Sequence, residues 1–394
     1  MRRTQVLWEV YVRRFEDAFD RYKKGRLTAD EAGELLNLSG RHFRRRCARF
    51  EAEGIEGLRD KRLGRVSGHR VAEDELDRMR RLYREEYSDF LVTHFHEELR
   101  HRHDYKLGYT VTRLALQSAG LVKPADHRGK HRRKRVRRPM PGMMLFQDGS
   151  THRWIGALDH EIDLIATLDD ATGCIYSAFF VPEEGTMSSF TGLLETIRAH
   201  GLFGSFYTDR GSHYFFTPKA GGEVDKKQLT QVGRALSQLG IRHIPSYSPE
   251  GRGRMERAWG TLQQRLPPAL RHAGIRTMEA ANIYLRETFV PDYNTRFGKP
   301  AEEEGNAFVA YAGRPLEDVL CVQEDRVMGR DNCISWYKQS LQIPAQKHRH
   351  HYVKAAVRVH EYPDGRLAVF DGPRCLARYD ANAVLLAAVA NEKA

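Results

Sequence analysis

The alternation of short apolar segments with helical segments, which begins at residue 142, most constrains the fold of this chain. MMLFQD (143–148) and FGSFYTD (203–209) are each long enough for one strand, and each ends on an acidic residue. Helical segments lie between and after them, such as MSSFTGLLETIRAHG, which ends at Gly201. The resulting order, β-β-β-α-β-α-β-α, is compatible with a mixed sheet flanked by helices. Residues 142–310 are therefore predicted to form an α/β core.

Further acids of this core lie in a turn and in a helix. IDLIATLDDATGCIYSAFFV predicts a hairpin, and its turn holds Asp169 and Asp170 because Asp is favoured in turns for local reasons. In SPEGRGRMERAWGTLQQRL, Glu250 is predicted to lie on the surface of a turn, and Glu256 to open a long helix over 251–271. The apolar residues of that helix recur at helical spacing and are predicted to form its core face: Met255, Trp259, Leu262 and Leu266.

The excess positive charge lies in the first third of the chain. The net charge is +12, and residues 1–141 carry 35 Lys and Arg against 22 Asp and Glu, whereas residues 142–394 carry 29 against 30. Such asymmetry indicates a polyanion partner docked by the N-terminal part; a basic surface without a partner is the alternative. The sequence contains no apolar run of about 18 residues, so no membrane span is predicted. The five cysteines lack C-x-x-C spacing, which predicts free thiols and a cytoplasmic protein.

Residues 1–66 carry the signals of a helix-turn-helix domain. Thr28, with Glu31 three residues later, predicts a capping box, and Ser39 is placed to cap a second helix after the break NLSG. Two short helices around a tight break, the second very basic, are typical of a DNA-binding unit whose second helix enters the major groove. The alternative is a helical hairpin with a solvated arginine face. The candidate DNA contacts are Arg41, Arg44, Arg45 and Arg49.

A second helical region and a basic linker follow. Residues 67–122 are predicted to form a winged-helix or helix-turn-helix-like DNA-binding domain. Its histidines are predicted to belong to a packed or solvated helix and not to a metal site, since His94 and His96 point to different sides. Residues 123–141, with a basic run between prolines, predict a linker that follows a phosphate backbone without reading sequence. Its candidate DNA contacts are Arg132, Arg133, Lys134 and Arg135.

The last region, residues 326–386, consists of strand-like segments, and YPDGRL is a hairpin signal within it. We predict a small β-barrel that contacts DNA or another subunit. The histidines of HRHH (348–351) are predicted to be exposed polar residues of a turn.

Three acids of the α/β region are placed to act together. Asp148 is predicted to close the first strand, Asp209 the fourth, and Glu256 opens the long helix. In open α/β sheets, groups at the carboxyl ends of strands converge on one crevice. Carboxylates brought together repel one another and need a cation, and oxygen ligands suit Mg²⁺ or Mn²⁺. Two such ions about 3.5–4 Å apart would clamp the attacking and leaving oxygens of a phosphoryl transfer.

These segments resemble the signatures of a known family. FQDGS, YTDRGSHY and SPEGRGRMERAWGTLQ are similar to the three motifs of the retroviral-integrase-like DDE transposases, and the chain looks most like bacterial insertion-sequence transposases of the ISNCY type. The resemblance extends over the whole chain, and LDDATG also matches the hairpin between the second and third core strands. It implies an RNase H-like core in which Asp148, Asp209 and Glu256 bind two Mg²⁺ or Mn²⁺ ions.

The resemblance further implies the reaction and the partners. The protein would bind the terminal inverted repeats of an insertion sequence, nick their 3′ ends and join them to target DNA, as a homodimer or larger synaptic complex associated with the bacterial nucleoid. A non-catalytic DNA-binding regulator, a decayed transposase and a structure-specific nuclease of the same fold are the alternatives. The arginines around Glu256 would face DNA phosphates, or else are solvated charges: Arg252, Arg254 and Arg257.

The sequence departs from the family pattern at two points. Arg210 follows Asp209 where many relatives have asparagine, and 47 positions separate Asp209 from Glu256, more than the compact spacing of retroviral enzymes. The extra length falls in TPKAGGEVDKKQ (217–228), a loop that is predicted to meet DNA. His213, close after Asp209, is a further candidate for a substrate contact.

Overall fold

The computed structural model describes most of the chain: residues 3–60, 71–124, 135–219, 222–225, 227–247, 249–346 and 349–386. The chain divides into two compact units, residues 1–76 and 77–394. Among the described residues, no helix combines the length and the apolar character that crossing a membrane requires.

The first unit contains the predicted helix-turn-helix. Its helices are α1 (Arg3–Lys23), α2 (Ala29–Leu35) and α3 (Gly40–Glu53), followed by a 3₁₀ turn. The capping box is confirmed: the Glu31 backbone N–H donates to Thr28 Oγ1 at 3.3 Å, and the Thr28 N–H donates to the Glu31 carboxylate at 2.7 Å. Ser39 caps α3 by accepting from the His42 N–H at 3.3 Å. The two short helices approach closely, since a Cβ at Gly40 would lie 1.9 Å from Asp30 Oδ1.

The second unit begins with helices and continues into a mixed sheet. The helices are α4 (Glu73–Glu85, which starts in the first unit), α5 (Val92–Arg102) and α6 (Tyr109–Ser118). The elements of the α/β core are β1 (Leu145–His152), β2 (Ile162–Asp169), β3 (Ile175–Val181), α7 (Thr186–His200), β4 (Ser205–Thr208), α8 (Gln231–Gln238), β5 (Arg242–Pro245), α9 (Pro249–His272), α10 (Met278–Tyr284) and α11 (Val290–Phe297).

The core sheet has the order β3-β2-β1-β4-β5. Neighbours in β3-β2-β1 are antiparallel, whereas β1, β4 and β5 are parallel. Side chains alternate along β1, so Leu145 packs with α7 and α8 on one face and Phe146 packs with α9 on the other. The mixed sheet flanked by helices is thus confirmed. The predicted core face of α9 is also confirmed, because Met255, Leu262 and Leu266 are at most 2% exposed.

The edge of the sheet at β3 is covered by two asparagines that sequence patterns did not indicate. Asn294 accepts from the Ile175 N–H at 2.7 Å and donates to the Ile175 carbonyl at 2.8 Å. Asn282 pairs in the same way with the N–H and the carbonyl of Phe180. These side chains take the place of a sixth strand and satisfy backbone groups that an open edge would expose.

The C-terminal strands do not confirm a β-barrel. In the described part of this region, β6 (Val322–Val327), β9 (Ala356–Glu361), β10 (Leu367–Asp371), β11 (Arg374–Tyr379) and β12 (Leu385–Leu386) form an open sheet of order β12-β11-β10-β9-β6. A separate hairpin is formed by β7 (Cys333–Trp336) and β8 (Gln339–Gln342). The hairpin predicted at YPDGRL is confirmed between β9 and β10, where Gly365 has a φ of 82° that suits glycine.

Candidate active site

Strand register brings two of the predicted acids to neighbouring positions. In the parallel pair β1 and β4, Leu145 lies opposite Phe206 and Phe146 opposite Tyr207. Continued by two residues along both strands, this register would bring Asp148 beside Asp209, which directly follows β4. Asp148 lies on the same face of β1 as Phe146, whose ring lies 5.2 Å from that of Tyr207. Paired strands lie about 4.8 Å apart, so the two carboxylates share one small area.

The position of Asp148 within its strand differs from the prediction. Asp209 directly follows β4, as expected, but β1 continues past Asp148 to His152. The segment GSTH lacks the apolar pattern of a strand, and it is extended because its backbone pairs with β2 as far as Ile162. Asp148 therefore lies inside a strand and is paired with Ala166 of β2, which restricts its backbone more than a strand end would.

Helix α9 crosses this area and contacts β1 twice. The Trp259 indole N–H donates to Asp148 Oδ2 at 3.1 Å, and one turn later Gln263 Nε2 donates to Ser150 Oγ at 3.1 Å. Residues three apart share a helix face, so Glu256 lies on the same side of α9 as Trp259. The Glu256 side chain is exposed.

The start of α9 also differs from the prediction. The helix begins at Pro249, so Glu256 does not open it but lies in its second turn. Glu250 belongs to the first helical turn and not to a surface loop. The glycines of this stretch concealed the helix start in the sequence, because glycine lowers helix propensity by about 1 kcal/mol per residue.

The three acids do not form a closed set of ligands. Among the residues that the structure describes, no group of three or more His, Cys, Asp or Glu side chains lies close enough to hold a metal ion. Asp148 and Asp209 lie on, or directly after, two neighbouring strands, and the Glu256 side chain is exposed on α9. Two carboxylates with open access to water and phosphate oxygens fit Mg²⁺, which commonly binds proteins through only one or two carboxylates.

The residues after Asp209 shape one side of the site. The Gly211 N–H donates to Asp209 Oδ1 at 2.8 Å. His213 Nε2 lies 3.5 Å from Glu184 Oε1, an acid that sequence reasoning missed because it follows a strand with no motif of its own. Burial raises the pKa of Tyr214 well above its ordinary value, and the charges of Glu184, Asp148 and Asp209 add to this. Arg210 points elsewhere, since it donates to the Gly222 carbonyl at 2.8 Å.

The two acids of the LDDATG turn have different roles. Asp169 has the local role that was predicted, since its Oδ2 accepts from the Thr172 N–H and hydroxyl, both at 2.8 Å. Asp170 is fully buried and binds the guanidinium groups of Arg135 and Arg254, and its Oδ2 accepts from the Arg138 N–H at 2.7 Å. Turn statistics did not predict this second role.

The predicted DNA-contacting residues fall into three groups. Arg41, Arg44, Arg45 and Arg49 are all exposed on α3, while Phe43 and Cys47 between them are buried. Arg257 is exposed on α9, whereas Arg135 and Arg254 bind Asp170; of these two, only the Arg254 side chain is nearly buried. Arg132, Arg133, Lys134 and the side chain of Arg252 lie outside the described residues.

The far half of α9 is held by the helices that precede the core. Arg265 donates twice to the Glu97 carboxylate of α5, at 2.6 and 3.1 Å, and Arg296 of α11 donates to the same carboxylate at 2.5 Å. Arg271 pairs with Asp89 at 2.6 Å. His94 of α5, predicted to be a packed residue, stacks on Phe90 with 4.3 Å between ring centroids.

Comparison with known proteins identifies the class of the chain. A helix-turn-helix domain model matches residues 17–65. The chain is 33% identical over 349 residues to "Putative transposase y4bF" of Sinorhizobium fredii, covering 88% of this chain and 75% of that protein. It is 28% identical over 311 residues to the "Transposase for insertion sequence IS1202" of Streptococcus pneumoniae, covering 70% of this chain and 66% of that protein. The chain therefore belongs to this family of transposases.

Two of the solved structures with local similarity come from retroviral integrases. The HTLV-2 integrase catalytic core domain, solved in complex with magnesium, aligns with 38% of this chain and 89% of its own at 16% identity and a TM-score of 0.28. A simian T-cell lymphotropic virus intasome chain aligns with 80% of this chain at 15% identity and a TM-score of 0.33. These scores are low, so family membership rests on the sequence relatives alone.

Proposed function

We propose that this transposase is of the DDE type: it binds insertion-sequence ends, cleaves their 3′ ends and transfers the freed strands into target DNA. The observation that carries the proposal is the β1–β4 register: continued by two residues, it would set Asp148 beside Asp209 on the face that packs against α9. The Trp259–Asp148 hydrogen bond supports the inclusion of Glu256, which lies one helical turn before Trp259 on α9. An exposed site suits this substrate, because a DNA backbone must reach the carboxylates.

The residues of the site have distinct tasks in this proposal. Asp148 and Asp209 would hold Mg²⁺ or Mn²⁺, and Glu256, exposed on α9, would complete the ligand set. Trp259 orients the Asp148 carboxylate, and the Gly211 N–H orients Asp209. Two divalent ions, when bound, polarise the scissile phosphate and stabilise the charge on the attacking and leaving oxygens.

DNA binding is assigned to the basic regions. The exposed arginines of α3 enter the major groove of the terminal inverted repeats, and the basic run through Arg132, Arg133 and Lys134 follows the phosphate backbone. Arg252 and Arg257 contact DNA beside Glu256, and the C-terminal sheet contacts DNA or another subunit. Because two ends must be held together, the active form is a dimer or larger homo-oligomer, associated with the nucleoid in the bacterial cytoplasm.

The test is a joining assay with purified protein, labelled element ends, target DNA and Mg²⁺. Asp148→Asn, Asp209→Asn and Glu256→Gln should each reduce cleavage and joining to background while end binding persists. Glu161→Gln, which changes an exposed acid just before β2, is the matched control and should retain activity. Joining by any of the three site variants would overturn the assignment. Cleavage without joining would indicate a nuclease, and binding alone a regulator.

End binding has its own test. Replacing Arg44 and Arg45 by Ala should weaken binding and reduce the slope of log affinity against log salt by about 2, since each phosphate contact contributes about 1. Arg21→Ala, which removes an exposed arginine paired with Asp17 on α1, is the control and should leave the slope unchanged. An unchanged slope in the double variant would exclude this helix from the DNA interface.

A further inference from the structure

Asp170 ties three separate segments of the second unit together. Its carboxylate has no exposed surface and binds Arg135 of the basic segment before the core and Arg254 of α9. Its Oδ2 also accepts from the Arg138 N–H at 2.7 Å, and Arg137 donates to the Ala171 carbonyl at 2.7 Å. The hairpin turn thus fixes both residues 135–138 and the beginning of α9.

The contact with α9 falls two residues before Glu256. Arg254 binds Asp170 through one terminal nitrogen and donates to the Arg135 carbonyl at 2.8 Å through the other. Successive residues of a helix are about 100° apart around its axis, so Arg254 and Glu256 point to nearly opposite sides of α9, while Glu256 stays within about 60° of Trp259. Fixing Arg254 therefore fixes the rotation of the helix, and with it the direction of the Glu256 side chain.

We infer that Asp170 is a positioning residue of the site: by holding Arg254 it fixes the second turn of α9, and so the place of Glu256 relative to Asp148 and Asp209. The inference rests on the proposed role of these three acids. Trp259 fixes α9 to Asp148 on the other side of Glu256. Glu256 thus lies between two anchors, one on the LDDATG turn and one on β1.

The charges around Asp170 explain why its removal would move α9. Burial and the guanidinium groups of Arg135 and Arg137 lower the pKa of Arg254 to about 10. These cations repel one another, and Asp170 supplies the negative charge that holds two of them. With a neutral side chain at this position, the side chain of Arg254, only 9% exposed, would have no charged partner there and would be driven towards solvent.

The same helix offers a matched control. Glu97 also binds two arginines, Arg265 of α9 and Arg296, and the Arg265 side chain is 10% exposed. Arg265 lies nine residues after Glu256, and beyond the Trp259 anchor. Removing the Glu97 charge therefore perturbs a comparable ion-pair group on α9 without touching the turn that carries Glu256.

The experiment measures metal binding apart from catalysis. Full-length wild type, Asp170→Asn and Glu97→Gln are titrated with Mn²⁺, and the midpoint of the Mn²⁺-dependent rise in Tm is recorded, since a ligand that binds the folded state stabilises it. We expect Asp170→Asn to need about tenfold more Mn²⁺, because loss of a residue that orients a ligand typically costs 10–100-fold in metal affinity. The Mn²⁺ midpoint of Glu97→Gln should stay within about twofold of the wild-type midpoint.

The Mg²⁺ requirement of strand cleavage should shift in parallel, and Arg254→Gln should reproduce the shift. The double variant Asp170→Asn/Arg254→Gln should need no more Mn²⁺ or Mg²⁺ than either single variant, because the two residues act through one contact. An unchanged Mn²⁺ midpoint in Asp170→Asn, or an equal shift in Glu97→Gln, would overturn the inference.

Two further variants separate the possible failures. If Asp170→Asn does not fold, Arg254→Lys takes its place under the same criteria, because lysine keeps the charge but cannot bind Asp170 and the Arg135 carbonyl through two separate nitrogens. If Asp148→Asn binds Mn²⁺ as wild type does, the proposed metal site itself is wrong. If Asp148→Asn loses binding and Asp170→Asn keeps the wild-type midpoint, the proposed function stands and only the positioning role fails.

Discussion

The two ends of α9 are held by similar ion-pair groups in different surroundings. Near its start, Arg254 and Arg135 share the carboxylate of Asp170, which has no exposed surface. Towards its end, Arg265 and Arg296 share the carboxylate of Glu97, whose side chain is 28% exposed. The first group lies beside Glu256, whereas the second connects the core to α5. We expect burial to set how much each group stabilises the fold, and position along α9 to set whether the group affects the site.

The burial difference predicts the largest effect on stability. Asp170→Asn should lower the free energy of unfolding of the second unit by about 3–5 kcal/mol, because it leaves the nearly buried Arg254 without its charged partner. Glu97→Gln should cost about 1–2 kcal/mol, since water reaches the carboxylate and the amide still accepts hydrogen bonds. Urea unfolding followed by tryptophan fluorescence measures both. Equal losses would show that burial does not separate the two groups.

Acid pH should reduce stability where α9 packs against α5, around His94. Burial, followed by the charge of Arg265, lowers the pKa of His94 to about 4 from 6.5. The unfolded chain therefore binds a proton at His94 below about pH 6.5, whereas the folded chain binds it only below about pH 4. As the pH falls through this window, the free energy of unfolding decreases by up to about 1.4 kcal/mol per pH unit.

The variant His94→Phe isolates this effect from the other buried histidines. Between about pH 7 and about pH 5, the free energy of unfolding of His94→Phe should fall less than that of wild type. The two losses should differ by up to roughly 2 kcal/mol. Parallel stability curves for the two proteins over this range would contradict the assignment to His94. Urea unfolding at the two pH values provides the measurement.

The hydrogen bond between α9 and the site should affect activity more than stability. Trp259→Phe keeps an aromatic ring in the core and removes the N–H that donates to Asp148 Oδ2 at 3.1 Å. Loss of a hydrogen bond to a charged group, about 1.5 kcal/mol, corresponds to about tenfold slower strand cleavage. Gln263→Leu removes the neighbouring contact with Ser150 and is the control; it should slow cleavage by no more than about twofold. Equal cleavage rates in the two variants would contradict the orienting role of Trp259.

The exposed pair at the end of α9 should matter least. Arg271 and Asp89 lie 2.6 Å apart with about half of each side chain exposed, at 49% and 43%. Such pairs contribute about 0.2–1 kcal/mol, so Arg271→Ala should cost less than about 1 kcal/mol in unfolding free energy. The Mg²⁺ dependence of cleavage should not change. A larger loss would show that this pair is coupled to the group around Glu97.

Local patterns predicted the elements of this protein well. The capping box at Thr28, the end of α7 at Gly201 and the hairpin turn at Asp169 each depend on a few neighbouring residues, and each is present in the structure. Patterns failed where a segment takes its structure from a distant partner. GSTH is part of β1 because β2 pairs with it. The C-terminal strands form an open sheet, and its strand order was not predicted because pairing between strands is not a local property.

The candidate site shows the same division. Local patterns were enough to predict that three acids, Asp148, Asp209 and Glu256, lie beside strands or on the helix that follows them. The folded chain was needed to show that Asp148 lies inside its strand, that Trp259 donates to it, and that Asp170 binds Arg254 of α9. The physical reason is that strand register and buried ion pairs join residues far apart in the chain. Their free energy depends on packing and on exclusion of water, which no short sequence window contains.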